Sequence, residues 1–408
     1  MATAVFGSIT ESVQEILQIS GATFQSFLVF SIALTFLIAF ILLKRPRNLP
    51  PYPAGRVPVL GHLLALGRKP YLKLTAWRRQ YGDVFTVRMG MEDVVVLNGY
   101  TAVKDALVDR SELFASRPPN YMFDSTVGFG KDIVTGRWGS LFKQRRRFVV
   151  RTLKNLGMKV GPGSIEENIR NEASCVQDRI ADYEGKPFDI FHYVTVAVAN
   201  VICSMTFGKR YDYEDEKFRE VSQASATVLA EIGAGQLISI FPFLRFVPGV
   251  NRACLNVSEH LPKIHKFVKE EIDRHRGNLD RENPRDFLDF CLLELEQRGK
   301  VDGLTKENVL YMAQDLFMAG TETSANTLRW SLLYLTLNPD IQKKAQEELD
   351  AVVGDSLPAL PHRSRLPYVN ACLMETMRIR TPGPIPLHAT TQEVNVREYT
   401  IPEGTRVS

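Results

Sequence analysis

Hydrophobic and polar positions along this chain follow patterns that predict mainly helices. Residues 70–81, PYLKLTAWRRQY, carry apolar side chains at helical spacing and are followed by Gly82, a typical helix end. Residues 338–354, NPDIQKKAQEELDAVVG, predict a helix with Asn338 as its cap and Gly354 past its end. A helix-rich middle is therefore expected to dominate the chain.

Strand patterns are few. Residues 84–99, VFTVRMGMEDVVVLNG, alternate β-branched and other residues and predict two short strands around a turn. The tail, residues 394–408, also resembles strand and turn, whereas residues 366–382 predict a helix stopped by Pro382. The expected fold class is therefore mainly α with a small β part.

The longest helical pattern covers residues 305–337, which would span roughly 50 Å as one helix. It is apolar on most sides, so it should cross the core. AGTETS at 319–324 interrupts it with a glycine, a carboxylate and three hydroxyl groups. Gly320 costs about 1 kcal/mol relative to alanine, and the hydroxyls can bond backbone carbonyls, so a local bulge or kink is expected.

This polar break has two interpretations. Gly320 would let a flat ligand approach the backbone, and Glu322 with Thr323 would deliver protons beside a bound cofactor. Alternatively, the helix merely packs small residues against a neighbouring element. The segment alone leaves both open.

The N-terminal region predicts a membrane anchor. Residues 24–43 contain no charge and would span roughly 30 Å as a helix. Lys44, Arg45 and Arg47 follow at once, whereas the first 23 residues carry two glutamates and no Lys or Arg. The N-terminus should therefore lie outside and the bulk of the chain in the cytosol. A cleaved signal peptide is the alternative, but its positive charge would precede the apolar run.

Net charge and cysteine spacing limit the possible partners and the possible cellular compartment. The net charge of +4 is mild, and nothing in the pattern indicates nucleic-acid binding. The five cysteines lie far apart, without the paired spacing of a disulfide framework or a zinc site, which fits a reducing compartment. They are Cys175, Cys203, Cys254, Cys291 and Cys372.

Glu375 and Arg378 stand three residues apart in CLMETMRIR, on one face of the predicted helix. An exposed pair of this kind contributes little. Because Leu373, Met374 and Met377 are apolar, we expect this pair to be buried. A buried pair needs further hydrogen-bonding partners.

The order of these motifs resembles that of cytochromes P-450. AGTETS lies on a long helix, ETMR follows about fifty residues later, and PIPLHATTQEVNVREYTIPEGT comes next. The sequence is similar to the animal microsomal branch, which oxidises steroids, fatty acids and drugs. LPPYPAGRVPVLGHLL resembles its proline-rich hinge and KQRRRFVVRTLKNLGM its third helix, so the likeness covers nearly the whole chain.

The resemblance implies the cytochrome P-450 fold and roles for particular residues. Thr323 would assist oxygen activation with Glu322 as the acid, and Ala319 and Gly320 would form the groove beside the haem. Glu375 and Arg378 match the family's structural ion pair. Arg146 and His388 match partners of the haem propionates. Phe142 stands where the family usually has tryptophan, and Trp138 lies one turn earlier; phenylalanine cannot donate a hydrogen bond to a propionate.

The implied function is that of a haem-thiolate monooxygenase with haem b. It would insert one oxygen atom from O2 into a lipophilic small molecule, using electrons from NADPH through a flavoprotein reductase, with cytochrome b5 as a further candidate partner. The implied location is the endoplasmic reticulum membrane, single-pass, with the domain facing the cytosol. A basic cluster would serve as a docking face for acidic partners or simply be solvated; it consists of Lys143, Arg145, Arg146, Arg147, Arg151 and Lys154.

One element of the family pattern does not occur. Its axial ligand is a cysteine in F-x-x-G-x-R-x-C-x-G, after the IPEGT segment, and none of the five cysteines follows G-x-R-x. We therefore expect that cysteine beyond residue 408 and no metal ligand before it. The expected organisation is a lumenal N-terminus (1–23), a transmembrane signal-anchor (24–43), a proline-rich hinge (44–61) and a C-terminally truncated catalytic domain (62–408). The alternative function is that of a non-catalytic membrane-anchored fragment, unstable and inactive alone.

Overall fold

A computed structural model of the protein describes residues 30–32, 48–67, 69–157, 164–298, 304–383 and 386–408. These residues are mainly helical with a small β part, as predicted. The chain divides into two compact units: Met1–Leu113 with Gln392–Ser408, and Phe114–Thr391. All the predicted site residues belong to the second unit.

The helices and strands follow the predicted order. The helices are α1 Leu63–Leu66, α2 Pro70–Tyr81, α3 Tyr100–Lys104, α4 Tyr121–Thr126, α5 Ser140–Gly157, α6 Ile165–Ala181, α7 Phe191–Phe207, α8 Glu216–Ala234, α9 Gln236–Ile240, α10 Arg252–Gly277, α11 Phe287–Arg298, α12 Lys306–Leu337, α13 Pro339–Val352 and α14 Pro367–Ile379. The strands are β1 Val84–Met89, β2 Glu92–Leu97, β3 His388–Ala389, β4 Val394–Val396, β5 Tyr399–Ile401 and β6 Arg406–Val407.

The predicted anchor at 24–43 lies outside the described residues, apart from residues 30–32, which are helical. Its boundaries stay predictions. Within the described part of the chain, no helix combines the length and the hydrophobicity that a membrane span requires.

The first unit contains the predicted strand pair. β1 and β2 run antiparallel with Val84 opposite Leu97, and β6 lies parallel to β2. The described part of the proline-rich hinge is non-helical, as predicted, and is bound to this sheet. The buried His62 has Nε2 2.9 Å from the carbonyl oxygen of Pro53, and its Nδ1 accepts a hydrogen bond from the amide of Arg88.

The core of the second unit centres on four phenylalanine rings from four helices. Phe207 of α7, Phe218 of α8, Phe267 of α10 and Phe317 of α12 are all buried. Phe317 contacts the other three, with ring centroids 5.7 to 6.4 Å apart. The prediction that the longest helix crosses the core is confirmed.

α12 begins at a capping box. The Thr305 hydroxyl accepts from the amide of Asn308, and the Asn308 side chain accepts from the amide of Thr305. The helix then continues to Leu337 without a π or 3-10 turn. The bulge predicted at 319–324 is therefore wrong. The Thr323 hydroxyl bonds the Ala319 carbonyl within ordinary α geometry, at 2.7 Å.

The two helices after α12 begin differently from the sequence expectation, and a neighbouring helix caps the second of them. Asn338 precedes α13 but does not cap it, because its side chain donates to the carbonyl of Tyr334 and so closes α12. Glu348 of α13 accepts from the amides of Tyr368 and Val369, at 3.0 and 2.9 Å. That carboxylate satisfies the first turn of α14, where the preceding Leu366 offers no polar side chain.

Candidate active site

Ala319 and Thr323 lie one turn apart on the same face of α12, and both are exposed. The Thr323 hydroxyl donates to the Ala319 carbonyl at 2.7 Å. Its oxygen keeps lone pairs that can accept a further hydrogen bond. This face therefore combines a small side chain, which a flat group can approach, with a hydroxyl that can hold or relay a proton.

Glu322 lies beside this face and is partly buried. Its Oε1 is buried without a hydrogen-bond partner among the described residues, while Oε2 accepts from Asn326 at 3.4 Å. Burial raises the pKa of Glu322 above the ordinary glutamate value, although the charge of Arg329 and the bond from Asn326 oppose the shift. A carboxyl group with a raised pKa holds a proton closer to neutral pH.

A polar row continues from Glu322 along α12. Arg329 donates to Asn326 at 3.0 Å, and its guanidinium carbon lies 3.7 Å from the ring centroid of Phe191 on α7. Our sequence reasoning missed Asn326 and Arg329. Their spacing from Glu322, four and seven residues, was the available signal.

Gly320 is in contact with α7. A Cβ atom at this position would lie 2.7 Å from Cδ1 of Ile202, so the missing side chain leaves room for that isoleucine. The immediate effect of the glycine is close helix packing, which was the alternative interpretation of the polar break. Its place in a cofactor groove stays a prediction.

Two arginines and a histidine from distant parts of the second unit form a cluster of hydrogen-bond donors. Arg117 lies 3.1 Å from Nδ1 of His388, and its Nε donates to the carbonyl of Val134 at 3.1 Å. The exposed Arg146 of α5 is close enough for its charge to lower the pKa of Arg117, after the larger effect of burial. Arg146 and His388 were predicted from the sequence, and Arg117, which interacts with both, was not.

The ring of His388 can form different hydrogen bonds in its two neutral tautomers. Its Nδ1 lies 2.8 Å from the carbonyl oxygen of Phe114 and 3.1 Å from a nitrogen of Arg117. With the proton on Nδ1, the ring donates to that carbonyl. With the proton on Nε2, Nδ1 accepts from Arg117 and Nε2 can donate to a carboxylate. Burial lowers the pKa of His388, which favours the neutral ring in both cases.

Glu375 and Arg378 form the predicted pair, with two hydrogen bonds of 2.7 Å. The expected burial is wrong, because the side chains are 54% and 70% exposed. Met374 and Met377 are exposed as well, so this face of α14 is uncovered among the described residues. As an exposed pair it contributes little stability here.

Phe142, at the position where the family usually has tryptophan, is a core residue. Its ring occupies the space beside Gly136, where a Cβ atom would lie 2.3 Å away. Trp138 lies against Phe142 with ring centroids 6.0 Å apart, and Lys143 lies over the indole at 4.5 Å.

Comparison with known proteins identifies the family. The cytochrome P-450 family model matches residues 50–408. The chain belongs to the cytochrome P-450 family. Rabbit (Oryctolagus cuniculus) cytochrome P-450 2C16 is 38% identical over 367 residues, covering 88% of this chain and 73% of the rabbit protein. Human cytochrome P-450 2C8 is 35% identical over 395 residues, covering 94% of this chain and 79% of the human protein.

Cytochromes P-450 use haem b and take electrons from NADPH through a reductase. The residues of this chain fit such a group in two respects. Arg117, Arg146 and His388 offer charge-assisted hydrogen bonds that suit the carboxylates of haem. The exposed face at Ala319 and Thr323 suits a flat apolar surface.

The five cysteines of this cytochrome P-450 all lie on helices: α6, α7, α10, α11 and α14. Burial raises the pKa of four of them, Cys203, Cys254, Cys291 and Cys372, above the usual thiol value. A raised pKa makes the thiolate, which is the form that binds a metal, less favourable at these four positions.

The structure thus places the predicted site residues in two separate groups. Ala319, Gly320, Glu322 and Thr323 share α12, and Arg146 lies in the cluster with His388. No hydrogen bond or ion pair within the described parts of the chain joins these two groups, or joins either one to Glu375.

Proposed function

We propose that this cytochrome P-450 is the haem-binding and oxygen-handling part of a monooxygenase acting on a lipophilic small molecule. The observation that carries the proposal is the cluster of Arg117, Arg146 and His388. These residues come from separate segments, yet Arg117 contacts His388 and lies close enough to Arg146 for the two charges to interact, with Asp132 as the carboxylate whose charge reaches Arg117. Such a group suits the two carboxylates of a bound haem.

The bound haem would supply O2 binding and the redox chemistry of oxygen insertion. Thr323 would hold a proton at Oγ1, since its hydroxyl can exchange the Ala319 carbonyl for an oxygen atom that reaches this face. Glu322 would store a proton, because burial raises its pKa and Oε1 has no other partner among the described residues. Ala319 would leave room for the flat group.

The proposal includes membrane and protein partners. Residues 24–43 would anchor the chain in the endoplasmic reticulum membrane, with the catalytic part in the cytosol. Arg147 and Arg151 are exposed on α5 and would form part of the docking face for a flavoprotein reductase or cytochrome b5. The binding of a lipophilic substrate rests on family membership.

A second candidate function is favoured by the state of the cysteines. Burial raises the pKa of four of the five thiols, and Sγ of the fifth, Cys175, lies 3.3 Å from a nitrogen of Arg210. If none of them ligates iron, these 408 residues bind haem through its carboxylates without an axial thiolate. These residues would then be membrane-anchored and would bind haem without catalysing oxygen insertion.

Titration of the full chain with haem tests the shared part of both functions. The Arg146→Gln variant should bind haem about tenfold more weakly or worse, the size expected for losing one charge-assisted contact. Arg147→Gln is the matched control, because Arg147 is exposed on the same helix outside the cluster. Haem dimethyl ester, which lacks both carboxylates, should bind weakly to every variant. Equal affinity of wild type and Arg146→Gln for haem would contradict the proposal.

A further inference from the structure

A groove of about 1550 Å³ lies within the second unit, between α6, the segment that joins α13 to α14, and α14 itself. We call it the α14 groove. Its lining is mainly apolar and includes Ile169 of α6, Leu360 of the joining segment, and Met374 and Met377 of α14. None of the residues proposed to contact haem or to handle oxygen lines it.

The apolar side chains of the α14 groove are open to water. Met374 and Leu360 are each 67% exposed, and Ile169 is 51% exposed. Soluble proteins rarely leave several large apolar side chains exposed around one concavity unless that surface binds something. The α14 groove is therefore a candidate binding surface.

The size of the groove suits a helix. α14 itself has 13 residues, so at about 1.5 Å per residue it is roughly 20 Å long. A cylinder of that length and about 10 Å across has a volume of roughly 1600 Å³, close to that of the groove. Laying the apolar face of a helix into a groove is a common mode of recognition.

The charges at the groove are balanced. Its charged lining residues comprise two acids and two arginines, with one histidine as the remaining titratable group: Glu166, Glu167, Arg170, Arg363 and His362. Beside the groove, Glu375 and Arg378 of α14 add one charge of each sign. A balanced surface offers no net attraction to a strongly acidic or basic partner or to an anionic membrane. It suits a partner that carries both signs in the reverse order.

We infer that the α14 groove binds α14 of a second copy of this chain, in a dimer with two-fold symmetry. In such a dimer the same surface meets itself, so every contact occurs twice. When two α14 helices lie antiparallel about an axis near residues 376–377, Glu375 of each copy faces Arg378 of the other. These two side chains are 54% and 70% exposed, so both are accessible to the second copy.

The apolar contact of this dimer comes from the methionines of α14. Met374 and Met377 of each copy lie in the groove of the other and lose their exposure to water, which favours association. Methionine side chains are flexible enough to pack against an identical surface. The dimer does not depend on bound haem.

Energy transfer between labelled copies tests this inference. Two populations of the full chain, with a donor or an acceptor dye on the N-terminal amine, are mixed in phosphatidylcholine vesicles without haem. Wild type should show transfer that saturates as the protein density rises. Met374→Glu/Met377→Glu should raise the apparent dissociation constant at least about tenfold, because it places charge in the apolar contact. Met91→Glu is the matched control and should dimerise like wild type, since Met91 is an exposed methionine of the first unit, outside the groove.

Exchange of charges on α14 tests the two-fold arrangement. Glu375→Arg and Arg378→Glu should each raise the dissociation constant at least about tenfold, because like charges then meet across the axis. The double variant Glu375→Arg/Arg378→Glu restores opposite charges and should return to within about threefold of wild type. Both side chains are exposed, so these changes should leave the fold intact by circular dichroism.

Each of three results would overturn the inference. Absence of transfer in wild type would give the groove to another occupant. Transfer that is unchanged in Met374→Glu/Met377→Glu would mean that another surface or the anchor joins the copies. Single charge variants that dimerise like wild type, or a double variant that does not recover, would refute the two-fold contact. If the methionine variant fails to fold, the charge series decides alone. Because no haem is added, failure here leaves the proposed haem chemistry untouched.

Discussion

Replacing His275 with alanine should strongly destabilise the second unit, because it would leave a buried carboxylate without its cation. His275 of α10 is fully buried, and its Nδ1 lies 2.6 Å from the carbonyl oxygen of Glu271. Its Nε2 lies 2.9 Å from a carboxylate oxygen of Asp286. Both partners accept hydrogen bonds, so both ring nitrogens must carry protons when Asp286 is ionised.

The magnitude follows from the burial of this pair. The two side chains are 0% and 2% exposed, so water cannot replace a lost partner. Removing one member of a buried ion pair costs about 3–5 kcal/mol. Asp286→Asn should cost less, because a neutral imidazole can accept a hydrogen bond from the amide group in place of the ion pair.

The stability that the His275–Asp286 pair contributes should depend on pH in a definite direction. Burial lowers the pKa of His275, but the hydrogen bond and charge of Asp286 outweigh it, so the net shift is upward. The charge of Arg274, on the same helix, opposes this upward shift. Arg285, which lies one residue before Asp286, is paired with Asp289. A raised folded-state pKa means that the stabilisation is complete below the unfolded value of about 6.5. It is lost as the pH rises through the higher folded value.

Urea unfolding of the full chain, followed by circular dichroism from pH 5 to 9, measures both effects. Wild type should lose stability as the pH rises above about 6.5, and Asp286→Asn should not show this loss. His275→Ala should lower the unfolding free energy by about 3–5 kcal/mol at pH 6. A loss under about 1 kcal/mol, or the same pH profile in wild type and Asp286→Asn, would refute the reasoning.

Three further predictions concern single residues of the second unit. Phe317→Ala should lower the unfolding free energy by about 3–5 kcal/mol in the same urea assay, because its buried ring contacts three other phenylalanines; a loss below about 1 kcal/mol would contradict this packing. Gly208→Ala should cost roughly 1–2 kcal/mol or more in thermal melts, since Gly208 has φ of +59° and a Cβ would lie 2.4 Å from a carboxylate oxygen of Asp286. Glu322→Gln should be more stable than wild type at pH 8 but equal at pH 4, because burial raises the pKa of Glu322 and makes its ionised form unfavourable in the fold; equal stabilities at pH 8 would count against that burial.

The elements were predictable where local sequence decides them. The helix expected at 305–337 runs from Lys306 to Leu337, because Thr305 and Asn308 form a capping box at one end. The strands in residues 84–99 appear as expected, since alternation of β-branched residues suits a half-buried pair. Family membership was predictable from the order of the motifs together with the segments that resemble the family's hinge and third helix.

Other features depended on neighbours that a single sequence does not specify. Gly320 contacts Ile202, which lies more than a hundred positions earlier, and no local pattern links the two. Glu375 was expected to be buried because its neighbours are apolar, but no described element packs over them. Arg117 lies in a stretch without a recognisable motif and gains its place only through contact with His388.

The reduced, carbon-monoxide-bound spectrum of the full chain after haem loading tests the central claim most directly. We propose that Arg117, Arg146 and His388 bind haem by its carboxylates and that none of the five cysteines supplies an axial thiolate. The loaded chain should therefore contain bound haem without the thiolate-type Soret band. A thiolate-type band that disappears when one of the five cysteines is replaced would contradict it.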